Sequence, residues 1–88
     1  MITAYQVKAA RALLGLSQAE LAKLSGLGIA TVKRLEIATE LRGAASTLWK
    51  VQTALEEAGV EFLSADKQSG PGVRLRPGVR LPLRPAKS

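Results

Sequence analysis

The stretch LSQAELAKLSGLGIATVKRLE, residues 16–36, decides the fold. Ser17 and Glu20 form the Ser-x-x-Glu pattern of a capping box, which predicts the start of a helix. Gly26 can adopt the left-handed conformation that ends such a helix. A second helix is predicted over residues 28–37, directly after the turn. Two short helices joined by a tight turn form a helix-turn-helix, whose second helix can enter the major groove of DNA.

The spacing of apolar residues predicts which side of each helix is buried. Leu21 and Leu24 are expected to face inward from the first helix, and Val32 and Leu35 from the second. Leu27 in the turn is expected to help lock the two helices together. Generic helical hairpins share some of this spacing, so the motif needs support from its flanks.

Further helices flank this motif on both sides. Thr3 and Gln6 form another capping box, and the helix that they start ends at Gly15. After residues 37–44, which could extend the previous helix or form a loop, ASTLWKVQTALEEA predicts a helix that Gly59 terminates. The predicted buried stripe of this last helix consists of Leu48, Val51, Leu55 and Ala58.

The pattern changes after residue 59. Val60–Leu63 and Val73–Arg76 are short β-like runs that could pair as a hairpin around a loop at residues 64–72. The hexamer PGVRLR is followed at once by PGVRLP, whose prolines exclude it from a regular sheet interior. The predicted organisation is a helix-turn-helix domain at 2–59, a β extension at 60–76, and a disordered, basic, Pro-rich tail at 77–88.

Composition restricts the possible functions. The chain has 88 residues, which suits one small domain, and it contains no cysteine and no histidine. Disulfides, the common metal sites and His-based catalysis are thereby excluded. The seven acids leave few catalytic options, and no Gly-rich phosphate loop is present. We therefore expect neither an enzyme nor a cofactor.

Charge and hydropathy indicate the kind of partner. The formal net charge is +6. Residues 70–88 contribute five Lys or Arg and no acid, so the remainder carries only +1. A polyanionic partner is plausible on this basis. No apolar run is long enough to span a membrane and no secretory signal precedes the domain, so a cytoplasmic protein is expected.

The segment LLGLSQAELAKLSGLGIATVKRLE resembles the core of the lambda-repressor-like regulators, the Cro-type or XRE family. The resemblance lies in the Leu-Ser-Gln-x-Glu-Leu-Ala opening, the glycine of the turn and the closing Arg-Leu-Glu. It covers roughly residues 2–58, and GVEFL with GPGVRL is similar to the end of a small single-domain subgroup. It implies a mainly α fold: a bundle of four to five short helices with a helix-turn-helix, followed by a small β hairpin or strand pair.

The resemblance also implies DNA-binding residues. Gln18 occupies the position that the family places against a phosphate, although a merely capping role is the alternative. The implied reading face consists of Gly28, Ile29, Ala30, Thr31, Lys33 and Arg34. The family often has a polar reader where this chain has Ile29. Ile29 and Ala30 can contact only the C5-methyl of thymine, whereas Lys33 and Arg34 can reach guanine. Alternatively, Ile29 packs in the core and only the cations touch DNA.

Two further sets of residues have alternative interpretations. The family commonly pairs an arginine of the first helix with a glutamate closing the third, which here implies an ion pair between Arg11 and Glu36. Both could instead be solvated surface charges. Trp49 is expected at the edge of the core with Ile37 and Leu41, or alternatively on a surface that meets a partner.

Family members typically bind operator DNA as dimers and regulate transcription. The resemblance therefore implies a repressor that binds a two-fold site on double-stranded DNA as a homodimer. The predicted dimer contacts are Val60, Phe62, Leu63, Val73 and Leu75. The hairpin could instead fold back on the chain's own fourth helix. The alternative function is an antitoxin-like or anti-activator module that binds a protein. The basic tail could contact DNA phosphates or act only as a solubilising end.

Overall fold

A computed structural model describes residues 2–37 and 45–79 of the chain. Four helices are followed by two antiparallel strands, which confirms the predicted fold class. The elements are α1 (Ala4–Leu14), α2 (Gln18–Ser25), α3 (Ile29–Ile37), α4 (Ala45–Glu57), β1 (Val60–Leu63) and β2 (Gly72–Leu75). The predictions made for residues 38–44, including the position of Leu41, lie outside the described residues.

The first two helices begin with the capping boxes that the sequence predicts. At α1, Thr3 Oγ1 accepts from the Gln6 backbone N–H at 3.1 Å, and Gln6 Oε1 accepts from the Thr3 N–H at 2.8 Å. Ser17 and Glu20 make the same exchange at α2, at 3.0 and 2.8 Å. α3 begins differently, because Gly28 precedes it and has no side chain to accept from the first N–H groups.

The helices enclose one hydrophobic core. Its fully buried side chains are Leu14, Leu21, Leu55, Val7, Val32, Val51 and Val60. The prediction that Leu24 faces inward is wrong, since that residue is 48% exposed. Leu21 and Ala22 define the buried side of α2. At about 100° per residue, Leu24 lies on the far side of Leu21 from Ala22 and turns away from the core.

The hairpin packs on the helices of its own chain. Val60 pairs with Leu75 and Phe62 with Val73, and these four side chains share the face that packs against the core. β2 lies along α1, and β1 lies along α4. The hairpin therefore folds back on both α1 and α4, whereas the alternative considered from the sequence was packing on the fourth helix alone.

A buried glutamine ties this hairpin to α1. Gln6 is 5% exposed, and its Nε2 donates to Leu63 O at 3.1 Å and to Gly72 O at 2.9 Å. One side chain thus completes the capping box of α1 with its oxygen and holds the open end of the hairpin with its nitrogen.

Part of the second hexamer repeat also belongs to the packed structure. A turn at Pro77–Gly78 follows β2 and brings Val79 against the core beside Gly59. The sequence interpretation placed all of residues 77–88 in the tail, but Val79 is partly buried. Gly59 has φ +112°, and a Cβ there would overlap the Val79 side chain. Within the described ranges, no helix is long and apolar enough to cross a membrane.

Candidate nucleic-acid interface

A partly buried ion pair joins α1 to α3, and a glutamine of α2 bonds to it. Arg11 Nε donates to Glu36 Oε2 at 2.7 Å, and Arg11 Nη2 donates to Glu36 Oε1 at 3.0 Å. Gln18 Nε2 donates to the same Oε1 at 3.0 Å, and Arg11 Nη1 donates to Leu16 O at 2.9 Å. Each of the first three helices therefore contributes one residue to this network: Arg11 from α1, Gln18 from α2 and Glu36 from α3.

The two members of this pair differ in their access to water. The Glu36 side chain is 1% exposed, whereas that of Arg11 is 21% exposed. Burial raises the pKa of the Glu36 carboxyl, but hydrogen bonds from Arg11 and Gln18, together with the positive charges of Arg11 and Lys8, outweigh burial and leave the pKa below its ordinary value. The hydrogen bond to Glu36 likewise raises the pKa of Arg11. Both groups are therefore charged at neutral pH.

These hydrogen bonds fix the orientation of α3 relative to α1 and α2. Glu36 lies near the end of α3, and its two partners belong to the helices on either side of the Leu16–Ser17 connection. A bidentate arginine–carboxylate pair restricts orientation as well as distance. The position of Gln18 at the start of α2 is thus coupled through its amide to the helix expected to read DNA.

The exposed side of α3 carries the residues predicted to contact DNA. Gly28, Ile29, Ala30, Lys33 and Arg34 are all exposed, and Thr31 is partly exposed. Ile29 is 44% exposed, so it is not a buried core residue. Arg34 Nη2 lies 3.4 Å from Thr31 Oγ1, a long hydrogen bond that leaves the other guanidinium donors available.

The opposite side of α3 is buried. Val32 is fully buried and Leu35 is 5% exposed, and both belong to the core beneath the helix. No acidic residue occurs between Gly28 and Arg34, so the exposed side of α3 carries cationic and apolar residues together with the partly exposed Thr31 hydroxyl. Such a face is suited to the negative potential and the base edges of a DNA groove.

The structure corrects the expected place of Trp49. This side chain is 66% exposed, and Ile37, its expected neighbour at the core edge, is 76% exposed. Leu48 and Val51 fill the buried stripe of α4, and Trp49 is turned about 100° from Leu48 around the helix. The core-edge interpretation is therefore wrong, while the alternative of a partner-facing Trp49 remains a prediction.

The residues predicted to form a dimer are divided between the chain's own core and the surface. Val60 is fully buried in the core, and Phe62, Val73 and Leu75 are partly buried against it. Leu63 is partly exposed and belongs to the opposite face of the hairpin.

The backbone of the hairpin has outward-facing groups along both strands. Arg76 N donates to Gly59 O at 2.8 Å, and antiparallel ladders alternate between hydrogen-bonded and non-hydrogen-bonded pairs. Phe62 and Val73 consequently form a pair whose N–H and C=O groups point away from the other strand. These groups form the edges to which a further strand could pair.

Two polar roles were not anticipated from the sequence. The sequence pattern predicts only a capping role for Gln6, whereas its bonds to the hairpin join residues 57 and 66 positions apart. Gln18 was identified as a phosphate contact, and its bond to Glu36 was not anticipated. The available sequence signal is the position of each glutamine. The capping box of α1 uses only the amide oxygen of Gln6, and Gln18 directly follows the N-cap residue Ser17.

A family model described as Helix-turn-helix matches residues 7–56. This span exceeds half of the chain and contains most of α1, all of α2 and α3, and all but the last residue of α4. It therefore includes the buried ion pair and the whole exposed side of α3. A search of the curated proteins found no matching relative.

Proposed function

The chain belongs to the XRE-type helix-turn-helix family of DNA-binding regulators, and from this premise we propose that it is a repressor that binds a two-fold operator as a homodimer. The observation that supports a sequence-specific role is the exposed side of α3. It presents the two exposed cations Lys33 and Arg34 and no acid, while buried Val32 and Leu35 hold the helix on the core.

The proposed contacts follow from this arrangement. α3 lies in the major groove, where Lys33 and Arg34 reach guanine O6 and N7 or adjacent phosphates. The beginning of α2, with Gln18 and its backbone N–H groups, meets the phosphate backbone. Because Gln18 also donates to Glu36, the phosphate contact and the reading helix are positioned as one unit.

The proposal of a homodimer rests on site size and on the hairpin. One short helix-turn-helix contacts too few base pairs to define a site, and related proteins bind half-sites about one DNA turn apart. The outward-facing backbone groups of Phe62 and Val73 provide edges for strand pairing with a second copy, and an uncovered strand edge favours such association. Leu63 would then be covered by the partner.

DNA selection with the purified protein tests the central proposal. Binding to a random-sequence duplex library should enrich one two-fold motif, and affinity for it should fall steeply with salt. Lys33→Ala and Arg34→Ala should each cost about 1–3 kcal/mol and relax the choice at one base pair. Lys67→Ala, an equal change of charge in the exposed hairpin loop, is the matched control. Unchanged affinity in both α3 variants would refute the assignment of the reading helix.

Sedimentation at micromolar concentration tests the dimer. The intact protein should run as a dimer, and Leu63→Asp should dissociate it, because this side chain lies on the hairpin face away from the core. Phe62→Asp is less informative, since Phe62 also packs in the chain's own core. Ala19→Asp on the exposed surface of α2 is the control. A monomeric intact protein, or a dimer unaffected by Leu63→Asp, would exclude the strand-mediated interface.

A protein partner is a second candidate, and Trp49 is the observation that favours it. Tryptophan is enriched in the centres of protein interfaces, and this one is 66% exposed. If a partner acts through α4, Trp49→Ala should retain operator affinity in vitro but lose regulation of an operator-controlled reporter in cells. Full regulation by the variant would reject this candidate.

A further inference from the structure

The first turn of α3 has an unusual surface for a helix that reads DNA. Gly28, directly before the helix, and its first two residues, Ile29 and Ala30, are exposed and have no side-chain donor or acceptor, and the partly exposed Thr31 follows them. Ile29 keeps 44% of its surface exposed, although Val32 and Leu35 of the same helix are buried. Packing within the chain therefore explains only part of the apolar character of this turn.

The chemistry of the major groove restricts what such a surface can recognise. Three of the four bases present only hydrogen-bonding groups there, whereas thymine also presents its C5-methyl group. An isoleucine or alanine side chain gains nothing from an amino or carbonyl edge, and it desolvates that edge without replacing the lost hydrogen bonds. It gains free energy by covering a methyl group.

The surroundings of this turn favour close approach to a duplex. Gly28 has no heavy atom within 4 Å of the position that a Cβ would take, so the backbone there borders open space. Lys33 and Arg34 lie exposed one turn further along α3, and no acid intervenes. The cations supply attraction to the polyanion, which leaves the apolar turn to face base edges.

We propose that Ile29 and Ala30 read C5-methyl groups of pyrimidines, so that the operator half-site has thymine at the position facing this turn. The inference rests on the proposed function and specifies the ligand of that same surface. 5-Methylcytosine carries the same methyl group at the same ring position. Affinity therefore depends on the methyl group itself, and 5-methylcytosine at the position facing this turn binds more tightly than cytosine there.

Replacement of thymine by uracil removes only this methyl group and tests the proposal directly. The probe is the duplex enriched from the random library, with each thymine exchanged singly for uracil. One or two positions in each half-site should lose about fourfold in affinity, the value for exposing one methyl-sized group. At those positions, 5-methylcytosine should bind more tightly than cytosine by a similar factor. Uracil in the duplex outside the enriched motif is the control for altered duplex flexibility.

Protein variants assign the effect to a residue. Ile29→Ala should largely abolish the uracil penalty, and Ile29→Val should retain part of it. Ile37→Ala changes the same residue type at the other end of α3, where Ile37 is 76% exposed, and should leave the penalty unchanged. Since both isoleucines are exposed, circular dichroism should show unaltered folding in all three variants.

The outcomes separate this inference from the function on which it rests. Failure to enrich any sequence would refute the proposed function. An enriched operator in which every uracil exchange is neutral would refute methyl recognition and leave the DNA-binding function intact. A uracil penalty that persists in Ile29→Ala would show that another residue reads the methyl group and would overturn the assignment to Ile29.

Discussion

Replacement of Arg11 by methionine should destabilise the protein in a strongly pH-dependent way. The substitution keeps much of the side-chain volume but removes three donors, two of which hold the Glu36 carboxylate. The buried Glu36 carboxylate then keeps the Gln18 amide as its hydrogen-bond donor and the more distant charge of Lys8, but loses its ion-pair partner. Breaking a buried pair in this way costs about 3–5 kcal/mol.

The pH dependence arises because the Glu36 carboxylate of the Arg11→Met variant can become protonated instead of remaining charged without its ion-pair partner. Protonation of a carboxyl with an unfolded-state pKa of about 4.3 costs about 3.7 kcal/mol at pH 7 but about 1 kcal/mol at pH 5. In Arg11→Met the folded-state pKa of Glu36 is expected to lie above the unfolded value, so stability rises as the pH falls. The variant should therefore recover up to about 2.7 kcal/mol between pH 7 and pH 5.

The intact protein should behave oppositely at this site. The Arg11 and Gln18 hydrogen bonds hold the pKa of Glu36 below its ordinary value. Its contribution to stability is consequently constant above the unfolded pKa and is lost as the pH falls through the lowered folded pKa. No gain in stability from this site is expected between pH 7 and pH 5.

Urea unfolding followed by far-ultraviolet circular dichroism at both pH values measures these differences. Trp49 fluorescence is a poor probe, because that side chain is already 66% exposed. Glu36→Gln is the matched control: it leaves Arg11 partly hydrated and bonded to Leu16 O, and should cost about 1–3 kcal/mol without pH dependence at this site. An Arg11→Met loss that is equal at pH 7 and pH 5 would refute the reasoning, as would a larger loss in Glu36→Gln.

Two further predictions concern contacts that hold the hairpin. Gln6→Ala should lower the free energy of unfolding by about 2–4 kcal/mol, because it removes half of a capping box and leaves the carbonyls of Leu63 and Gly72 without their side-chain donor. Thermal unfolding measures this loss, and a loss below about 1 kcal/mol would contradict the importance of these hydrogen bonds. Gly59→Ala should displace Val79 from the core and strain a backbone at φ +112°. Truncation after residue 76 should then lower the melting temperature of the otherwise unchanged protein but not that of Gly59→Ala. An equal fall in both proteins would contradict this contact.

Local features of the chain were predictable because they depend on neighbouring residues. The boxes at Thr3–Gln6 and Ser17–Glu20 require only the spacing of three, and Gly26 adopts the left-handed conformation expected of it. The two strand regions were also predicted, although the second strand begins and ends one residue earlier than expected. Strand ends depend on the partner strand, whose register is not a local property.

The incorrect predictions concern which helix surfaces other elements cover. Leu24 and Trp49 have the side chains of core residues, but each lies on a side of its helix that no other described element covers. Periodicity indicates that a helix has a buried side, and it does not fix the width or centre of that side when several apolar residues compete. The positions of the neighbouring helices decide this.

By itself, the sequence of this protein determined the helices, their caps, the helix-turn-helix and the family, because these reside in short segments with their own stereochemical signals. Only the tertiary structure decided that Gln6 would hold the hairpin, that Gly59 would receive Val79, and that Ile29 would remain exposed at the start of α3. Each of these depends on groups brought together, or kept apart, by the packing of elements distant in the chain. Such contacts have no spacing rule, since their geometry exists only once the core of the four helices and the hairpin has formed.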